Sequence, residues 1–185
     1  MKTLRRDPDD NLNDSLVEGI VNNMGYSDTG VLFPDTDPVK PGEGIDYEWF
    51  MPAYAGLGAE SELSAIKQYT TQSACFGRFS TELMGVAIVE MQHYDKVGDL
   101  ILKLGGTLDK IWNSTEVEYG KNLKEAIGIA IQSEKTAIKF YEGLQKKIGS
   151  LPKQTTTSEI CISFLSKLLA DEKHHLHIFQ NMKID

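Results

Sequence analysis

Val89-Glu-Met-Gln-His-Tyr-Asp95 and Asp171-Glu-Lys-His-His175 each contain a Glu-x-x-His pair, Glu90 with His93 and Glu172 with His175. Three residues make a little less than one helical turn, so both side chains of each pair leave the same helix face. Each pair follows another element with a fixed spacing: Glu62 and Tyr69 precede the first, Glu134 and Tyr141 the second, the tyrosine standing seven residues after the glutamate in both cases. The chain therefore carries one set of side chains twice. Four carboxylates and two imidazoles delivered by four helices suit a pair of iron or manganese ions inside a four-helix bundle.

Periodicity places these groups on inward faces. Glu90 shares a stripe with Leu83, Val86, Val97 and Leu104, and His93 lies one turn along it. Glu134 is flanked at helical spacing by Ile127, Ile131, Ile138 and Tyr141, and Glu172 by Leu165, Leu168, Leu169, Leu176 and Phe179. Glu62 shares a shorter face with Ile66 and Tyr69. Burying an unpaired carboxylate costs several kcal/mol or forces it to take up a proton, so four in one core call for a compensating cation. The turns agree. Position 76, midway between Glu62 and Glu90, lies beside Gly77, and the midpoint of Glu134 and Glu172 falls among Gly149, Ser150 and Pro152.

Helical phase sorts the remaining acids and histidines. Glu125 lies about half a turn away from Glu134, and His174 and His177 point away from the stripe of Glu172 and His175, so all three are expected at the surface, with Glu60 off the Glu62 stripe. Asp171 is expected beside His93, where it would fix the imidazole tautomer; the matching residue in the first half is Val89, which makes that support one-sided. Tyr69 and Tyr141 are expected to orient a ligand carboxylate of the opposite half through their hydroxyls.

The 185 residues form one domain's worth of chain, 41% apolar and 9% aromatic, an ordinary composition for a globular protein with a real core. A net charge of -8 argues against nucleic acid or an anionic membrane as partner. The polar Met1-Lys-Thr-Leu-Arg-Arg6 start and the lack of a long apolar run point to a cytoplasmic location with no membrane span. Cys75 and Cys161 are the only cysteines, which rules out a Cys-x-x-Cys iron site. They are expected near opposite ends of the bundle, on the order of 35 Å apart, too far to form a disulfide.

Five of six prolines and seven of sixteen glycines precede residue 59, which sets residues 1–54 apart as a mostly irregular N-terminal extension with one short helix over 14–24. Its Phe33, Trp49, Phe50 and Met51 suit packing on the bundle or on a neighbouring subunit. Residues 55–185 are read as the bundle, with helices over 57–76, 80–104, 122–148 and 157–182. Gly105 and Gly106 end the second helix, and Thr156 with Glu159 forms a capping box for the fourth. The connection from Gly105 to Lys121, about 17 residues, can run the full length of the bundle as a long crossover.

At Ser61-Glu-Leu-Ser-Ala-Ile-Lys-Gln-Tyr69, Val89-Glu-Met-Gln-His-Tyr-Asp95, Leu104-Gly-Gly106 and Asp171-Glu-Lys-His-His175 the chain resembles the ferritin-like di-metal carboxylate proteins of the bacterioferritin and rubrerythrin type. The resemblance spans about residues 53 to 180 and implies an all-α, ferritin-like four-helix bundle. It implies Glu62 and Glu134 as terminal ligands, Glu90 and Glu172 as bridging ligands, and His93 and His175 as one imidazole per metal. Departures are visible too. Ala137 and Ile138 stand where rubrerythrins carry an extra carboxylate, the rubredoxin cysteines are missing, and the chain stops six residues after Phe179, where large-cage storage ferritins continue into a fifth helix. A homo-oligomer, dimer or larger, is the expected assembly.

The leading expectation is a di-iron carboxylate oxidoreductase, rubrerythrin-like peroxidase or ferroxidase, with two Fe ions per chain reacting with peroxide or dioxygen and supplied by an external electron donor. Manganese in the same donors, with catalase-like disproportionation of peroxide, is the nearest alternative. The others are non-catalytic iron sequestration in a ferritin-like oligomer, and a purely structural bundle.

Overall fold

A computed structural model describes residues 19–108 and 117–184. The described residues are helical with no strand. Four long helices, α1 (Glu62–Cys75), α2 (Ser80–Lys103), α3 (Leu123–Gly149) and α4 (Thr156–Asn181), follow a 3-10 turn at Tyr47–Trp49 and a short helix at Met51–Ala55. Residues 19–23 are helical and Met24 is already in a turn; residues 14–18 of the N-terminal helix expected over 14–24 lie outside the described residues.

Local chemistry sets the boundaries. The first long helix begins at Glu62 rather than at 57, because Ser61 takes an extended conformation and its side chain accepts the Ser64 amide as N-cap. The fourth is closed by a capping box one residue earlier than the Thr156 and Glu159 frame: Thr155 accepts the Ser158 amide at 3.2 Å while the Ser158 hydroxyl accepts the Thr155 amide at 2.7 Å. In a run of three threonines followed by serine, either frame satisfies the pattern, and the hydrogen bonds decide. α2 ends as Gly105 and Gly106 require: Gly105 is left-handed (φ 88°), its amide bonds Leu102, and the Gly106 amide reaches back to Ile101 at 2.9 Å. Between α1 and α2 the left-handed residue is Phe79 (φ 65°), although Gly77 lies in the same turn.

The direction of each helix follows from which side chains meet. Tyr69 donates to Glu134 and Tyr141 to Glu62, so moving forward along α1 means moving backward along α3. Glu90 lies against His175 and His93 against Glu172, so α2 and α4 are antiparallel as well. The short turns make α1 with α2, and α3 with α4, antiparallel hairpins. α1 is thus opposed to both α2 and α3, those two run the same way, and the chain between them must travel the length of the bundle. Of that crossover, residues 109–116 lie outside the described residues.

Two apolar clusters bracket a polar layer at mid-height. Tyr69, Leu83, Val86, Ile127, Ala130 and Phe179 form one, and Val97, Leu100, Tyr141, Phe164, Leu165 and Leu168 belong to the other. The N-terminal segment adds Val39, Ile45, Phe50, Ala53 and Tyr54 to the second cluster, with Phe50 wholly buried, so it packs on the bundle of its own chain. At Gly85 the Tyr26 ring lies so close to the α2 backbone that a Cβ would sit 2.2 Å from it, which only glycine permits. No helix among the described residues is long and apolar enough to cross a membrane.

Candidate metal centre

The polar layer holds all six side chains nominated as ligands. Glu62, Glu90, His93, Glu134, Glu172 and His175 are each no more than 2% exposed. Glu62 is the first residue of α1, so this carboxylate stands at the helix start, where the backbone amides favour negative charge. The other five sit within long helices on the apolar stripes that bury them.

They fall into two overlapping groups. In one, ligand atoms of Glu62, Glu90, His93 and Glu172 all lie within 4.8 Å of one another; in the other, those of Glu90, Glu134, Glu172 and His175 do. Glu90 and Glu172 belong to both, Glu62 and Glu134 to one each. Nδ1 of His93 faces Glu90 at 2.9 Å, Glu172 at 3.4 Å and Glu62 at 3.5 Å. Nδ1 of His175 faces Glu90 at 3.1 Å, Glu172 at 3.6 Å and Glu134 at 3.8 Å. Despite the 3.1 Å approach, alignment leaves His175 Nδ1 without a hydrogen bond among the described residues. A buried nitrogen aimed at three carboxylates and bonded to none is the arrangement a cation between them would satisfy.

The electrostatics have the same origin. Burial, together with the charges of Glu90 and Glu172, raises Glu62 well above the usual carboxylate range, although His93 pulls the other way. Burial and the same two charges raise Glu134. For Glu90, burial and Glu172 push upward, but His175 and His93 outweigh them and hold it low. Burial also pushes Glu172 upward, and the facing Glu134, His175 and His93 more than reverse it. Burial disfavours the charged imidazoles, yet Glu62 and Asp171 lift His93 well above its ordinary value, and Glu90 with Glu172 lifts His175 to about 10. Without a metal, protons supply the positive charge that the carboxylates demand.

The supporting residues are also in reach. Each tyrosine hydroxyl donates to the unshared carboxylate carried by the opposite half, Tyr69 to Glu134 and Tyr141 to Glu62. Burial, then the facing carboxylate, raises both phenols well above their ordinary range. Asp171 lies 2.9 Å from His93 Nε2. Burial would raise its carboxyl, but His93 and Lys167 hold it down at about 2. His177 and Glu125 are exposed, the latter accepting the Lys121 amide ahead of α3, and His174 is half-buried against the Gly25 carbonyl. Glu60 is half-buried beside a narrow opening of about 10 Å³ that reaches Glu62, Glu90, Glu134 and Glu172 between Ala59, Ala65, Ser133 and Ala137. That is room for about one water-sized molecule. Cys75 is exposed, Cys161 buried, and both are free.

Sequence reasoning missed Lys167, which is 1% exposed and donates to Asp171 Oδ1 at 2.9 Å. The signal was present: a lysine four residues before an acid, on the same buried face as Phe164 and Leu168.

The family model for the ferritin-like domain matches residues 60–183, so the chain belongs to the ferritin-like family. Among solved structures it is similar to the manganese catalase KatB from Anabaena, with a TM-score of 0.60 and 22% identity over 80% of this chain and 78% of that one. A second KatB structure, from Anabaena PCC7120, gives a TM-score of 0.57 and 20% identity over the same shares. No curated protein matches the chain.

Proposed function

We propose that the chain is a di-metal carboxylate oxidoreductase that consumes hydrogen peroxide. The observation that carries this reading is the pair of overlapping donor groups sharing Glu90 and Glu172, which gives two cation positions rather than one. Glu62 with His93, and Glu134 with His175, would complete the two positions; bound iron or manganese supplies two-electron chemistry across adjacent ions. Tyr69 and Tyr141 hold the unshared carboxylates in place, and Asp171 fixes the His93 ring. The small pocket beside Ala65 and Ala137 reaches Glu62, Glu90, Glu134 and Glu172, and is the side from which a small oxidant would approach the centre.

With iron, peroxide takes two electrons and two protons to become two waters, and the electrons must return from an external donor. A second reading, manganese with disproportionation of two peroxides to dioxygen and two waters, draws support from the fold likeness to manganese catalases. The test compares peroxide consumption by iron-loaded and manganese-loaded protein with and without a reductant, alongside an oxygen electrode. Consumption that stops after one equivalent unless reductant is added supports the iron reading; sustained oxygen evolution without reductant supports manganese. Faster reaction with dioxygen, with many irons oxidised and retained per chain, would replace both with iron storage. No reaction of either loaded form with peroxide would overturn the proposal.

A further inference from the structure

The two halves of the centre are not supported alike. On the His93 side, the buried Lys167 ammonium donates to Asp171 Oδ1 at 2.9 Å, to the Ser27 hydroxyl at 2.8 Å and to the Asp28 carbonyl at 2.6 Å. Asp171 Oδ1 also accepts the Asp28 amide at 2.7 Å and the Ser27 hydroxyl at 3.0 Å, while Oδ2 faces His93 Nε2 at 2.9 Å. The segment continues to Phe33, whose ring meets His93 edge-on at 6.3 Å and packs on Phe164 at 5.1 Å. On the other side, His175 Nε2 has no hydrogen-bond partner among the described residues, and Val89 stands where an equivalent of Asp171 would be.

A methionine would fill the space of Lys167 without the cost of desolvating an ammonium, so packing does not account for the charge. Its hydrogen bonds do. By occupying Oδ1 together with the Ser27 and Asp28 donors, Lys167 leaves Oδ2 to accept Nε2–H of His93, which turns the Nδ1 lone pair toward Glu62, Glu90 and Glu172. We propose that Lys167 is a positioning residue: with Asp171 it clamps residues 27–33 over the His93 half of the centre and makes that half the tighter of two unequal metal positions. This rests on the two-metal reading above.

The test is a Mn(II) titration of metal-free protein, following free Mn(II) by electron paramagnetic resonance, with hydrogen exchange of the Asp28 amide measured on the same samples. The unaltered chain should take up two ions in two steps, with His175→Ala removing the weaker. Lys167→Met should weaken the tighter step by roughly 10- to 100-fold, the usual effect of losing an outer-shell partner of a ligand histidine, and leave the weaker step in place. Asp28 amide exchange should accelerate even without metal. If Lys167→Met fails to fold, Lys167→Met/Asp171→Asn removes both buried charges and should show the same selective loss. Two unchanged steps, or equal weakening of both, would overturn the proposal while leaving two-metal binding intact. No Mn(II) or Fe(II) uptake by the unaltered chain would defeat both.

Discussion

Metal uptake should expel protons in a number the site itself sets. In the metal-free protein, burial and the neighbouring carboxylates raise Glu62 and Glu134 well above the usual carboxylate range, so they hold protons, while the carboxylates overcome the opposing effect of burial on His93 and His175 and keep both imidazoles charged. Glu90 and Glu172 are held low and stay ionised. Two positive imidazoles then balance two carboxylates. With two divalent ions in place, four carboxylates and two neutral imidazoles are balanced by the metals, so these four named groups release about four protons per pair of ions. Each displaced proton contributes a factor of ten per pH unit, so affinity should rise with pH by about 100-fold per ion per pH unit wherever all four groups still hold their protons, as His175 does below about 10. The sign is opposite for the metal-free fold. Groups with raised pKa values stabilise it most at low pH, and that contribution fades as pH rises from the unfolded values of the glutamates and histidines toward their folded ones; Glu90 and Glu172, held low, act the other way, with a contribution present above the ordinary glutamate value and lost as pH falls toward their folded values. Proton release is measured with an indicator dye in weak buffer during Mn(II) addition. Release of about one proton or fewer per two ions would refute this account of the cluster.

Glu90→Ala or Glu172→Ala should remove most binding of both ions, whereas Glu62→Ala should remove one; elemental analysis after gel filtration distinguishes these, and full occupancy in the Glu90 and Glu172 variants would contradict their shared role. His93→Ala or His175→Ala should lower the metal content, while His174→Ala and His177→Ala should leave it intact, because the latter two lie off the buried stripe. Tyr69→Phe should weaken uptake in the Glu134 half by about tenfold or more through loss of a buried hydrogen bond to a carboxylate, and equal affinity in titration would deny the tyrosine that role. Phe50→Ala should cost about 3–5 kcal/mol in urea unfolding, since the ring is wholly buried; a loss near zero would mean the N-terminal segment does not contribute to the core.

The bundle and its central groups were legible because two periodicities coincide: the helical repeat that buries Leu83, Val86 and Val97 also carries Glu90 and His93 inward. The placement of Asp171 beside His93 could be read from its position one residue before Glu172. What escaped depended on contacts distant in sequence or on choices between equivalent local signals. Lys167 finds its other partners at Ser27 and Asp28, about 140 residues away, and no periodicity within α4 announces them. The late start of α1 and the shifted capping box turn on which of several adjacent hydroxyls closes a helix, at Ser61 and in the Thr155 to Ser158 run. The Tyr47–Trp49 turn and the Met51–Ala55 helix are too short for a repeat to reveal them; they are held by tertiary packing of Phe50, Ala53 and Tyr54.

The measurement that bears most directly on the central claim is the identity and number of metal ions per chain in protein purified from its native host, determined by elemental analysis against protein concentration. The account requires two ions of iron or manganese per chain, falling toward zero in Glu90→Ala. Protein isolated without transition metal, and taking up none when both are supplied, would contradict it.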